Sequence, residues 1–278
     1  MTAQRFCLAC ALVFSLTACR AAENAAPPAP VATAAYAQTS LRTNAQGTNV
    51  LSVTPRYKLE VHYPALPADE APLGAMLRKI GATAQRDFMQ ALPDPKRFPE
   101  FAGRQLQLRI DFKVVARTRD FVSVRETGFQ DSGGAHPIPV DSTIVYDARA
   151  HHIVTLDDLF ADADAARKAL ADYARAELSS KIMAQAPKPG EGSREAIREW
   201  KTNARKMIED GTQPTEQNFA NFIVRAGARS DGASPGLTLI FPPYQVAAYV
   251  YGTQTVNVPA STFAQYLNPQ YRNAFISG

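Results

Sequence analysis

The chain has 278 residues, with 30 Lys and Arg against 26 Asp and Glu, for a formal net charge of +4. The charges are interspersed and form no Lys/Arg block, which removes the electrostatic footprint of a nucleic-acid binder. The 228 residues after Val50 are enough for one large domain or two intimate ones.

Arg5 is the only charge ahead of an apolar run from Phe6 to Ala18. That run is too short for a bilayer span of roughly 20 residues and has the form of a secretory signal. It ends Leu16-Thr17-Ala18-Cys19, which resembles a bacterial lipobox. The resemblance implies a signal peptide over 1–18 and lipidation of Cys19. Arg20 favours sorting to the outer membrane, with the domain facing the periplasm. Cys7 and Cys10 would leave with the signal, so no disulfide and no thiolate metal site is expected within one mature chain. Residues 19–50 are rich in Ala, Pro, Thr, Asn and Gln and read as an unstructured tether.

A strand is expected at Arg56–Tyr63, then a helix over Pro72–Ala91 with Leu73, Leu77, Ile80, Ala84 and Phe88 on one face and Pro93 after it. From Leu106 the period changes to two, through Leu108, Ile110, Phe112 and Val114, as in a half-buried strand. Phe121–Phe129 and Val140–Asp147 follow, so three strands form an antiparallel meander. Thr155 is a candidate N-cap for a short turn. Helices are expected at Asp164–Met183 and Arg194–Glu209, strands at Phe219–Ala226, Leu237–Phe241 and Thr255–Val258, and a last helix at Ser261–Leu267. Elements in blocks of one kind predict an α+β fold, antiparallel sheets packed with several helices.

Two segments carry a pattern that a plain core does not require. Ser132-Gly133-Gly134-Ala135-His136-Pro137 joins two meander strands; paired glycines allow positive φ and bare N–H groups, and Pro137 keeps His136 extended. On spacing alone a structural hairpin whose His caps a turn remains open. Pro242-Pro243-Tyr244-Gln245-Val246-Ala247-Ala248-Tyr249-Val250-Tyr251-Gly252 follows an apolar strand. Its prolines stiffen the chain and its tyrosines suit interface anchors, although tyrosines that fill the core are an alternative. His151 and His152 fall at a turn, where neighbouring side chains point apart, and His62 has no partner in sequence. The acids Asp157, Asp158, Asp162 and Asp164 fit helix starts. No metal, phosphate or nucleophile motif occurs, so neither a cofactor nor enzymatic activity is expected.

The two segments, with Ile153–Phe160 (IVTLDDLF), resemble the RsiV/PdaC-like extracytoplasmic domain family, DUF3298 with a DUF4163-like N-terminal half. The resemblance runs from about Tyr57 to Tyr266 and divides the folded part into 51–130 and 131–278. It implies a partner-binding surface made of Ser132, Gly133, Gly134, His136, Pro137, Pro242, Tyr244 and Tyr249, with Ala248 standing where Pro is more usual. The anti-sigma segment, membrane span and deacetylase domain of some relatives are not expected here. The implied function is an envelope protein on a lipid anchor that recognises a lysozyme-like glycoside hydrolase, as an inhibitor or immunity protein. Peptidoglycan itself, or another envelope partner, is the alternative.

Overall fold

Alternation along Leu106–Arg117 sets the scheme of the main sheet: Leu106, Leu108, Ile110 and Phe112 are buried, while Gln107, Arg109, Asp111 and Lys113 face outward. The computed structural model describes residues 38–44, 47–227 and 232–275. The strands are β1 (Gln38–Asn44), β2 (Gly47–Val53), β3 (Tyr57–Pro64), β4 (Leu106–Arg117), β5 (Phe121–Asp131), β6 (Ile138–Asp147) and β7 (His152–Val154), and they lie side by side in chain order. Every neighbouring pair is antiparallel except β3 and β4. Those two run parallel because α1 (Ala71–Ala91) returns the chain to the starting end of the sheet.

α1 places Leu73, Leu77 and Phe88 against the inner face, with Ile80 and Ala84 half-buried. Gly81 is required there, since a Cβ would fall 2.2 Å from the Tyr63 hydroxyl. The helix ends at Leu92, before Pro93.

Residues 38–44 and 47–50 correct the tether reading in part. They form β1 and the start of β2, paired from Gln38↔Val53 to Asn44↔Gly47. Strand pairing uses backbone groups, so a Thr- and Asn-rich segment can be templated by β3 with only Val50 packing against the core. The signal, Cys19 and the first part of the tether lie outside the described residues.

The C-terminal half holds α2 (Ala163–Met183), α3 (Arg194–Gly211) and a three-stranded antiparallel sheet of β8 (Phe222–Val224), β9 (Gly236–Phe241) and β10 (Gln254–Pro259), ordered β10-β9-β8. Asp162 caps α2 by accepting from Ala165 N at 3.0 Å, and Ser193 caps α3 by accepting from Ala196 N at 3.1 Å. Thr155 and Asp158 form a reciprocal pair around the preceding turn. The expected strand from Phe219 is shorter, because Gln217–Phe219 is a 3-10 turn. The expected last helix is two 3-10 turns, Ala260–Thr262 and Ala264–Tyr266. Phe263, between them, leaves helical geometry at φ −128°, ψ −3° to bury its ring against Phe160 and Phe275.

The outer face of β5 and β6 receives this half. Val224 N donates to Ser123 Oγ at 3.1 Å, Phe222 N to Thr143 Oγ1 at 2.8 Å, and Thr143 N to Asn221 Oδ1 at 3.1 Å. Val122, Val124, Ile144 and Tyr146 belong to the α1 core, whereas Phe121 and Val145 join the C-terminal core. Two cores therefore sit on opposite faces of one sheet, and a division at 130/131 falls inside the β5–β6 hairpin. The architecture is α+β, as expected.

Candidate functional site

The β5–β6 hairpin turns at 132–137. Asp131 accepts both bonds of the Arg104 guanidinium, at 2.9 and 3.0 Å, and one from Gly133 N at 3.1 Å. Gly133 adopts φ +102°, and a Cβ there would lie 2.5 Å from the Phe101 ring. Gly133 thus shapes the loop. Ser132 is half-buried, while Gly134, His136 and Pro137 are exposed. His136 Nδ1 donates to the Pro137 carbonyl at 3.1 Å.

After β9, Pro242–Gln245 makes a tight turn closed by Gln245 N donating to Pro242 O at 3.1 Å. Pro243 then occupies the position that prefers proline, and Tyr244 the position with positive φ, at +74°. Glycine is the residue that normally adopts that backbone. Gln245 Nε2 anchors the turn by donating to Gly211 O at 3.0 Å and Asn218 O at 2.9 Å. Pro242 is half-buried at the base.

The fold brings the two segments together. His136 and Tyr249 have ring centroids 6.2 Å apart, Tyr249 and Tyr244 5.3 Å apart, and both pairs lie within 30° of parallel. Tyr244 and Tyr249 remain 56% and 50% exposed, and Val250 beside them 84%. Of the eight expected contact residues, the structure gathers His136, Tyr244 and Tyr249 into one exposed ladder and gives Gly133 and Pro242 supporting positions.

Three residues that the motifs did not flag hold the ladder together. Arg125 donates from Nε and Nη2 to the two Asp141 carboxylate oxygens at 2.9 Å each, and Thr253 Oγ1 donates to Asp141 Oδ2. Asp141 follows the hairpin on β6 and Thr253 follows the tyrosine turn, so this contact fastens one segment to the other. Behind the turn, Trp200 Nε1 donates to Tyr251 Oη at 3.1 Å beside a cleft of about 330 Å³ that Met207 and Ala248 also line. Sheet register and helix packing placed these groups, and no local sequence pattern announces them.

Elsewhere, His62 Nδ1 lies 2.6 Å from Asp111 Oδ1, across the parallel pair. His151 pairs with the Tyr146 hydroxyl at 2.9 Å. Asp157 and Asp164 both pair with Arg167. Among the described residues, no group of three or more His, Cys, Asp or Glu side chains could hold a metal ion, and no helix is long and apolar enough to cross a membrane.

The family model DUF3298, a "protein of unknown function", matches residues 157–261, which include the tyrosine turn but not the hairpin loop. The peptidoglycan-N-acetylmuramic acid deacetylase PdaC of Bacillus subtilis (strain 168) is 24% identical over 238 residues, covering 83% of this chain. The chain spans only 44% of the length of PdaC. A crystal structure of a DUF3298 family protein from Pseudomonas aeruginosa PAO1 aligns with a TM-score of 0.51 at 17% identity, over 87% of this chain and 95% of that one. A family member from Bacteroides fragilis NCTC 9343 gives 0.47 at 15% identity, over 85% and 94%. Residues 157–261 therefore match the DUF3298 family model, in a chain whose sequence is similar to that of PdaC.

Proposed function

We propose that the chain is a lipid-anchored envelope protein that binds a lysozyme-type muramidase through the His136–Tyr249–Tyr244 ladder. The observation that supports this is the exposure of three rings brought together from segments over a hundred residues apart, with Tyr244 held in a costly backbone conformation. Strain kept at an exposed aromatic is expected where the side chain has a task outside the fold.

The chemistry fits a muramidase cleft. Such a cleft holds two carboxyl groups, one kept protonated as the general acid. With its Nδ1–H given to the Pro137 carbonyl, His136 keeps Nε2 for a hydrogen bond with that acid. The exposed Gly134 N–H is a donor for the second, ionised carboxylate. The tyrosines supply area and hydroxyls at the rim, and truncating one such anchor costs about 2 kcal/mol, or roughly thirtyfold in Kd.

Peptidoglycan is the second reading, favoured by the substrate that PdaC is named for. The rings weigh against it, because they lean on one another and so give up part of the faces that a sugar would stack on. Calorimetry of the chain against a panel of lysozyme-type muramidases, beside co-sedimentation with purified sacculi, separates the two. Pelleting with sacculi and no muramidase binding would replace the first reading with the second.

A further inference from the structure

Among the described residues, the main sheet has a long open edge at β1. On its other side β7 pairs with only 145–147 of β6, and the rest of β6 carries Pro139 and the bond from Thr143 N to Asn221. β1 has seven residues, about 23 Å of strand, and among the described residues it pairs only with β2. Of the usual protections of an edge strand, β1 has a single charge, Arg42: Gln38–Asn44 (QTSLRTN) contains no proline and no lysine, and its pairing with β2 has no bulge. Leu41, at the middle of the strand, is 69% exposed.

We propose that β1 pairs antiparallel with β1 of a second copy, joining two seven-stranded sheets about a two-fold axis through Leu41. An axis normal to the sheet keeps each side chain on its own face, so residues of equal parity must meet. Centring on Leu41 sets Leu41 against Leu41 of the second copy, Thr39 against Thr43 and Ser40 against Arg42. This is the register in which the strand's one large apolar residue meets itself and all seven residues are paired. The contact is isologous, as two-fold symmetry demands. A single strand pair is small beside a standard interface of about 1,600 Å², so the dimer is a weak, concentration-dependent one. The hairpin bearing His136 lies four to five strands from β1, which leaves both candidate sites of the dimer free and makes the assembly bivalent.

Sedimentation velocity over a concentration series, on residues 20–278 so that neither the signal nor a lipid can associate, tests this. The native chain should show a monomer–dimer equilibrium, Leu41→Lys should be monomeric throughout, and Val250→Lys, at the exposed tyrosine turn, should dimerise as the native chain does. The register has its own signature that does not depend on weakening the edge. Ser40→Glu places a carboxylate opposite Arg42 twice and should tighten the dimer about threefold or more, whereas Ser40→Arg should loosen it. A monomeric native chain, a dimer indifferent to Leu41→Lys, a dimer abolished by Val250→Lys, or equal effects of the two Ser40 substitutions would each overturn the proposal.

Discussion

Position 244 offers a test in which the sign of an effect is the result. At ordinary helical or strand positions, glycine is less stable than alanine by about 0.5–1 kcal/mol, because the unfolded chain gains freedom. Tyr244 sits at φ +74°, where a residue with a Cβ pays roughly 1–2 kcal/mol that glycine does not. Tyr244→Gly and Tyr244→Ala remove the same ring and the same contact with Tyr249, so the difference between them isolates the backbone. Taking the two effects together, Tyr244→Gly should be more stable than Tyr244→Ala by about 0.5–1 kcal/mol. For a folded region of this size that is about 1–4 °C in Tm, readable by thermal melts followed by circular dichroism. Muramidase affinity should fall alike in both, because each lacks the ring. If the alanine variant melts at or above the glycine variant, the strained turn does not exist in solution, and the argument that Tyr244 is held out for a partner fails with it.

Asp141→Asn should weaken the clamp that joins the two loops, since its carboxylate receives both Arg125 donors and the Thr253 hydroxyl while its side chain is 9% exposed. Losing the charge from a buried pair costs about 1–3 kcal/mol, and hydrogen exchange should rise in 242–253 more than in α1. Gly133→Ala should destabilise by about 1–3 kcal/mol in urea titrations, from positive φ and the Phe101 ring together, while Gly134→Ala, whose Cβ would meet the His136 carbonyl oxygen at an ordinary 3.7 Å, should change little. Glu126 is raised above the usual carboxylate range by burial, against the lowering bond from Ser142 Oγ. A raised folded value means stability that is complete below the unfolded value and lost as pH rises through the folded one. Glu126→Gln, which keeps an acceptor for Ser142, should therefore gain on the native chain between pH 4 and pH 7; a gap that narrows toward pH 7 would contradict the assignment.

The strongly periodic elements were legible from sequence. α1 shows its stripe through Leu73, Leu77 and Phe88, and β4 alternates from Leu106 to Lys113, so local patterning and tertiary burial agree there. The parallel pairing of β3 with β4 was not, because both strands carry the same alternation that an antiparallel neighbour would show. β1 was hidden by polar composition, since its place in the sheet comes from backbone bonds rather than buried area. The site divides along the same line. His136, Tyr244 and Tyr249 stand out as residue types in unusual local settings. The Asp141–Thr253 contact joins residues 112 apart in the chain and exists only once the sheet register is set.

The central claim is that the ladder is a muramidase-binding surface. Titration calorimetry of the native chain, His136→Ala and Tyr249→Ala against a panel of lysozyme-type muramidases, with lysis assayed in parallel, addresses it most directly. The account predicts submicromolar binding of at least one muramidase by the native chain, weakened roughly thirtyfold by Tyr249→Ala and measurably by His136→Ala. No binding across the panel, or binding that neither substitution changes, would contradict it.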